Sequence, residues 1–205
     1  MSKENFIDAA ATARITKVVT NLARKQSPFP NVLGSLNTDN MALALKEISS
    51  WPGYAATPLR SLPDVASACD VKAVLYKDEA SRFGLGSFKA LGGSYAVASL
   101  VLAQKALGID AADLTVTTAT DGNHGRSVSW GAQLAGCAAK IYIHEHVSVA
   151  REQAMQSLGA DVIRVNGNYE ASLAACRSDA EANGWHIVSD TSWAVSYTHL
   201  TLPTT

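Results

Sequence analysis

From residue 73 onward the chain alternates short β-rich runs with longer stretches in which apolar residues recur every three or four positions. Residues 73–76 (AVLY) predict a short strand, and 88–106, small and apolar throughout, a long helix. Residues 114–118 (LTVTT) are rich in β-branched side chains and predict a strand that ends at a turn around Asp121. A helix over 123–135, a strand over 140–143 (KIYI) and an amphipathic helix over 149–158 closed by Gly159 follow. The pattern then gives a strand over 161–165 (DVIRV), a helix over 169–183 closed by Gly184, and a last strand over 186–188. Alternation of this kind, with short glycine-marked joints, predicts an α/β fold: parallel sheets flanked by helices. Ligands of such sheets collect beyond the carboxyl ends of the strands, where Asp121 and Asp190 both fall.

Upstream the pattern is weaker. Residues 41–48 (MALALKEI) have helical spacing, with Asn40 or Asp39 as the expected cap, and 54–59 (YAATPL) read as an extended, proline-fixed entry to the core. The expected organisation is a peripheral lead-in over 1–56, a core domain over 57–193 and a tail over 194–205. No internal repeat interrupts this. The tail (AVSYTHLTLPTT) has no charged residue apart from His199 and no helical period.

Composition narrows the classes. The chain has 205 residues with 47% hydrophobic content, enough for one substantial core or a large part of two smaller ones. A net charge of −1 gives no reason to expect nucleic acid or an anionic membrane as a partner. No apolar run approaches the roughly 20 residues of a membrane span. The start, Met1-Ser2-Lys3-Glu4-Asn5, lacks the apolar run of a secretory signal, so a cytoplasmic location is expected. The cysteines Cys69, Cys137 and Cys176 are odd in number, widely spaced and free of any Cys-x-x-Cys, which predicts three buried thiols and no disulfide framework or zinc site.

The chemistry concentrates in two stretches. Ser87-Phe88-Lys89-Ala90-Leu91-Gly92-Gly93 puts a lysine beside an aromatic ring and ahead of paired glycines, and Gly84 and Gly86 make a loop that can deliver it. An amine held in a tight pocket can lose its proton and form a Schiff base with an aldehyde. Thr120-Asp121-Gly122-Asn123-His124-Gly125 reads as a strand-to-helix turn whose free amides can grip a planar, anionic ligand. Together they suggest pyridoxal 5′-phosphate bound to Lys89, with Asn123 donating to the ring oxygen. Structural alternatives stand beside each reading: a surface lysine, a capped glycine turn, a packed histidine at His124, and capping roles for Asp121 and Asp190. A carboxylate in a cofactor cleft otherwise removes a proton or holds an ammonium. His144-x-His146 lacks a third ligand, so no metal is expected there. Lys77-Asp78-Glu79 and Arg82 either position the lysine loop or only solvate it.

These residues resemble the tryptophan-synthase-β-like, fold type II group of pyridoxal phosphate enzymes. The resemblance rests on Thr57-Pro58-Leu59, Lys77-Asp78-Glu79, Arg82-Phe83-Gly84-Leu85, the Lys89 stretch, Thr120-Asp121-Gly122-Asn123-His124-Gly125-Arg126 and Asp190-Thr191-Ser192-Trp193, and covers roughly 54–193. Within the group it is nearest to the ammonia-lyases acting on 2,3-diaminopropionate, with Asp121 the sharpest discriminator. The resemblance implies α,β-elimination to pyruvate and ammonia. Lys89 would be the catalytic lysine and the proton acceptor for the L-isomer. Asp121 would be the acceptor for the D-isomer, and Asp190 would bind the substrate's amino group. Phe88, Gly122, Asn123, His124 and Gly125 would line the cofactor with Lys89. The implied partners are an amino acid and, at full length, a second subunit. In this group the phosphate cup lies further downstream, which predicts a chain lacking its C-terminal part and impaired in activity, its tail either an ordinary frayed end or a non-native one. The alternatives are a threonine or serine dehydratase of the same fold, or a non-catalytic anion-binding α/β domain.

Overall fold

The computed structural model describes residues 37–190, which divide into two compact units: residues 56–79, and residues 37–55 with 80–190. Residues 1–36, the Thr191-Ser192-Trp193 end of the last motif and the 194–205 tail lie outside the described residues.

Helix α1 (Thr38–Ser50) opens the description. Its cap is Asn37, not Asn40 or Asp39: Asn37 has extended backbone (φ −125°, ψ 168°) and its side chain accepts the Asn40 amide at 2.8 Å. Asp39 and Asn40 lie inside the first turn, where the backbone is already helical.

The smaller unit is a ribbon that the sequence pattern gave only in part. Strand β1 (Leu59–Ser61) runs into helix α2 (Pro63–Ala68) and pairs antiparallel with β2 (Leu75–Lys77). Lys77, Asp78 and Glu79 bond within this ribbon: Lys77 Nζ donates to the Thr57 carbonyl, Arg60 Nε meets Asp78 Oδ2 at 2.9 Å, and Thr57 Oγ1 donates to Glu79.

The larger unit is the expected α/β layer. Helix α3 (Lys89–Ala106) precedes β3 (Thr115–Ala119), α4 (Asn123–Ala135), β4 (Ala138–His144), α5 (Val149–Gln156), β5 (Asp161–Val165), α6 (Tyr169–Asn183) and β6 (His186–Ile187). The four strands are all parallel, in the order β5-β4-β3-β6. Side chains on β4 alternate between faces. Ile141 and Ile143, both at 0% exposure, join Val97 and Leu100 of α3, Val128 of α4 and Met155 of α5. Tyr142 turns to the opposite face with Cys176 of α6. Fully burying one such isoleucine is worth roughly 1.5–3 kcal/mol relative to exposure. Helices α3 and α4 lie so close that a Cβ on Gly131 would stand 2.7 Å from Ser94 Cα. Only Cys176 of the three cysteines is buried; Cys137 is half-buried and Cys69, at the end of α2, is exposed, which corrects the expectation of three buried thiols. Among the described residues no helix is long and apolar enough to cross a membrane.

Candidate active site

The turn after β3 is built around Thr120 and Gly122. Gly122 has φ +150°, and a Cβ there would meet Arg151 Cδ at 3.1 Å, so only glycine suits it. Thr120 Oγ1 accepts the amides of Gly122 (3.0 Å) and Gly125 (3.2 Å). The amides of Asn123 and His124 find no acceptor among the described residues, so the positive end of α4 is open to an anionic or carbonyl oxygen.

Lys89 is the first residue of α3, and both its neighbours and its backbone hold it in place. Ser127 Oγ, on α4, donates to the Lys89 carbonyl at 2.7 Å and accepts the Ser94 amide at 2.9 Å. The loop before it carries Phe83 at φ +49°, a conformation that costs a non-glycine residue energy. An aromatic cluster holds Phe83 there, with ring centroids 5.8 Å from Trp51 and 4.6 Å from Trp130. Arg82, also in this loop, is buried and donates to the Ala55 carbonyl at 3.0 Å.

The Lys89 ammonium lies 2.7 Å from Asp190 Oδ2. Burial pushes the Asp190 carboxyl up, but the hydrogen bond from Lys89 and the charges of His124 and Lys89 outweigh it, so the group sits below its ordinary value. His124 Nε2 donates to the Val188 carbonyl at 2.8 Å, and its buried Nδ1 has no partner among the described residues. Burial holds the His124 ring below its ordinary value despite the Val188 bond and the Asp190 charge. His124 is thus a packed histidine bonded to the residue that follows β6.

One cavity of about 280 Å³ gathers Lys89, Asp121, Gly122, Asn123, His124 and Asp190, joined by Ala119, Thr120, Arg151 and Tyr169. Phe88 and Gly125 stand outside that lining. Phe88 is 60% exposed. Gly125 is packed against Thr120 and Met155, where a Cβ would fall 2.5 Å and 2.6 Å from their atoms. Arg151 and Tyr169 were not anticipated. Tyr169 carried a usable signal, because it follows β5 and so belongs to the same carboxyl edge as Asp121 and Asp190. Burial, then the charges of Asp190 and Asp121, raise its phenol above the ordinary value.

Asp121 is tied at both ends. His144 Nε2 lies 3.0 Å from its Oδ1, and Arg151 donates to its carbonyl at 3.0 Å. His146, in the turn beyond β4, is 75% exposed and is not part of the cavity lining.

A lysine amine, two carboxylates and an open helix N-terminus at the carboxyl edge of a parallel sheet define a cleft for a small, charged aldehyde-type ligand. The sequence matches the family described as "Pyridoxal-phosphate dependent enzyme" over residues 50–200, and the chain belongs to that family, whose cofactor is pyridoxal 5′-phosphate. It is 40% identical over 152 residues to a diaminopropionate ammonia-lyase of Escherichia coli (strain K12), a match covering 69% of this chain and 38% of that protein. A diaminopropionate ammonia-lyase of Salmonella typhimurium is 31% identical over 194 residues, covering 87% of this chain and 48% of that one. A crystal structure of the Escherichia coli ammonia-lyase "in complex with aminoacrylate-PLP azomethine reaction intermediate" aligns with a TM-score of 0.77 at 37% identity, over 88% of this chain and 47% of that chain. The chain thus spans less than half the length of these relatives.

Proposed function

We propose that these residues form part of a pyridoxal 5′-phosphate-dependent ammonia-lyase that eliminates ammonia from 2,3-diaminopropionate. The observation that carries the reading is the meeting of Lys89, Asp121 and Asp190 on one cavity. The residues fit the cofactor: a lysine amine for its aldehyde, and the unpaired amides of Asn123 and His124 for an anionic ring oxygen. Bound there, pyridoxal 5′-phosphate would supply the electron sink that makes a Cα proton removable.

The chain's own groups do the rest. Lys89 Nζ would hold the cofactor and, once released, would take the Cα proton of the L-isomer; Asp121 would take that of the D-isomer. Asp190 is paired with Lys89 until the lysine is engaged, and its oxygen then becomes free for the substrate's ammonium. A second ammonium on the substrate needs a second anion, which Asp121 supplies and which serine or threonine would not require. The β-amino group leaves as ammonia with the bonding pair of its carbon–nitrogen bond. The enamine left behind takes up water to give pyruvate and the second ammonia. The homologous ammonia-lyases at 31–40% identity support this substrate.

The test is substrate competition with cofactor-loaded protein. Two ammonia released per pyruvate from 2,3-diaminopropionate, with serine and threonine turned over more slowly, is the expected result. Faster turnover of either hydroxy amino acid overturns the choice of substrate.

A further inference from the structure

His144 closes β4, and its ring is held at both nitrogens. Nδ1 accepts the His146 amide at 3.2 Å, while Nε2 faces Asp121 Oδ1 at 3.0 Å. A nitrogen that accepts an N–H carries no proton, so the neutral ring has its proton on Nε2 and donates it to the carboxylate. The His144 side chain is 17% exposed against 65% for Asp121, so the fixed partner is the histidine.

The segment that bears His144 is itself pinned. Arg164 of β5 donates to the carbonyls of His144 (3.3 Å), Glu145 (2.8 Å) and Val147 (2.8 Å), and its other terminal nitrogen meets Glu152 Oε2 at 2.5 Å. From the other side Arg151 fixes the Asp121 main chain at its carbonyl. An aspartate at a cleft mouth would otherwise sample several rotamers. Here one oxygen of the carboxylate is already engaged by the His144 ring.

We infer that His144 is a positioning residue for Asp121, holding Oδ1 so that Oδ2 is the oxygen presented to substrate. This rests on the reading of Asp121 as a proton acceptor given above. The arrangement suits that task, because the Nε2–H bond to Oδ1 survives whether Oδ2 is bare or protonated. The tautomer stays the same throughout, and His144 exchanges no proton with the substrate.

Two measurements separate this inference from the reading beneath it. The first uses the full chain, ¹⁵N-labelled at histidine and free of cofactor, observed by long-range proton–nitrogen NMR. The expected result is an Nε2–H tautomer for His144, with a proton that exchanges with solvent about tenfold faster in Asp121→Ala, as loss of a hydrogen-bond partner demands. An Nδ1–H tautomer, or exchange unmoved by Asp121→Ala, overturns the inference. The second uses cofactor-loaded protein and the ratio of turnover of D- to L-2,3-diaminopropionate. His144→Leu should lower that ratio about tenfold through kcat with KM little changed, the scale of loss from a misplaced catalytic group. His144→Gln, whose amide can reach the same oxygen, should restore most of it. An unchanged ratio in His144→Leu overturns the inference. If the unmodified chain turns over neither isomer, the reading of Asp121 falls and the NMR result alone decides the role of His144.

Discussion

Lys89 and Asp190, 101 residues apart in the chain, are joined by a 2.7 Å ion pair across the carboxyl edge of the sheet. Lys89 begins α3, and Asp190 follows β6, the strand that pairs with β3. The pair makes stability depend on pH. The Asp190 carboxyl lies below its ordinary value of 3.8 in the folded chain, so on acidification the unfolded chain takes up this proton first. Its contribution is present in full above 3.8 and is lost as pH falls through the folded midpoint. Urea denaturation should show the unmodified chain losing more stability than Asp190→Asn as the pH is lowered through that range. Parallel curves for the two proteins would contradict this.

His124 gives a second dependence at higher pH. Its buried ring titrates below the ordinary 6.5, so the folded chain resists a proton that the unfolded chain accepts. Stability from this group is complete above 6.5 and declines as the pH drops through the folded midpoint. His124→Gln keeps a donor toward the Val188 carbonyl and cannot titrate. The slope of stability against pH just below 6.5 should be shallower in that variant, as read by thermal unfolding in matched buffers.

Helix contact sets a third expectation. Gly131→Ala places a methyl group 2.7 Å from Ser94 Cα, a backbone atom that cannot swing away. Overpacking of this kind costs about 1–3 kcal/mol. Because Ser94 and Ser127 together hold the Lys89 carbonyl, the variant should also weaken cofactor retention. A urea midpoint equal to that of the unmodified chain would show that the helices part freely.

How far the sequence foretold all this follows from how local each signal is. The bounds of α4 and α6 were legible because Gly136 and Gly184 end them in left-handed conformation, at φ +77° and +69°. The turn at Asp121 was legible because β-branched residues stop where glycine begins. Strand β1 was not, because Leu59-Arg60-Ser61 is too short for a period and is fixed by its pairing with Leu75–Lys77. Strand β2 runs over Leu75–Lys77 and not 73–76, because its bounds follow the pairing with Leu59–Ser61 and not the apolar run. Arg151 was missed because a charged residue on an amphipathic helix reads as solvent-facing. Only the parallel pairing of β3 with β4 brings α5 over Gly122.

The proposed function turns on Lys89 holding pyridoxal 5′-phosphate. The direct measurement is to mix the chain with the cofactor, reduce the covalent linkage with borohydride and map the modified peptide by mass spectrometry. The adduct is expected on Lys89 and should be lost in Lys89→Ala. An adduct confined to another lysine, such as Lys140, or equal labelling in Lys89→Ala, would contradict it.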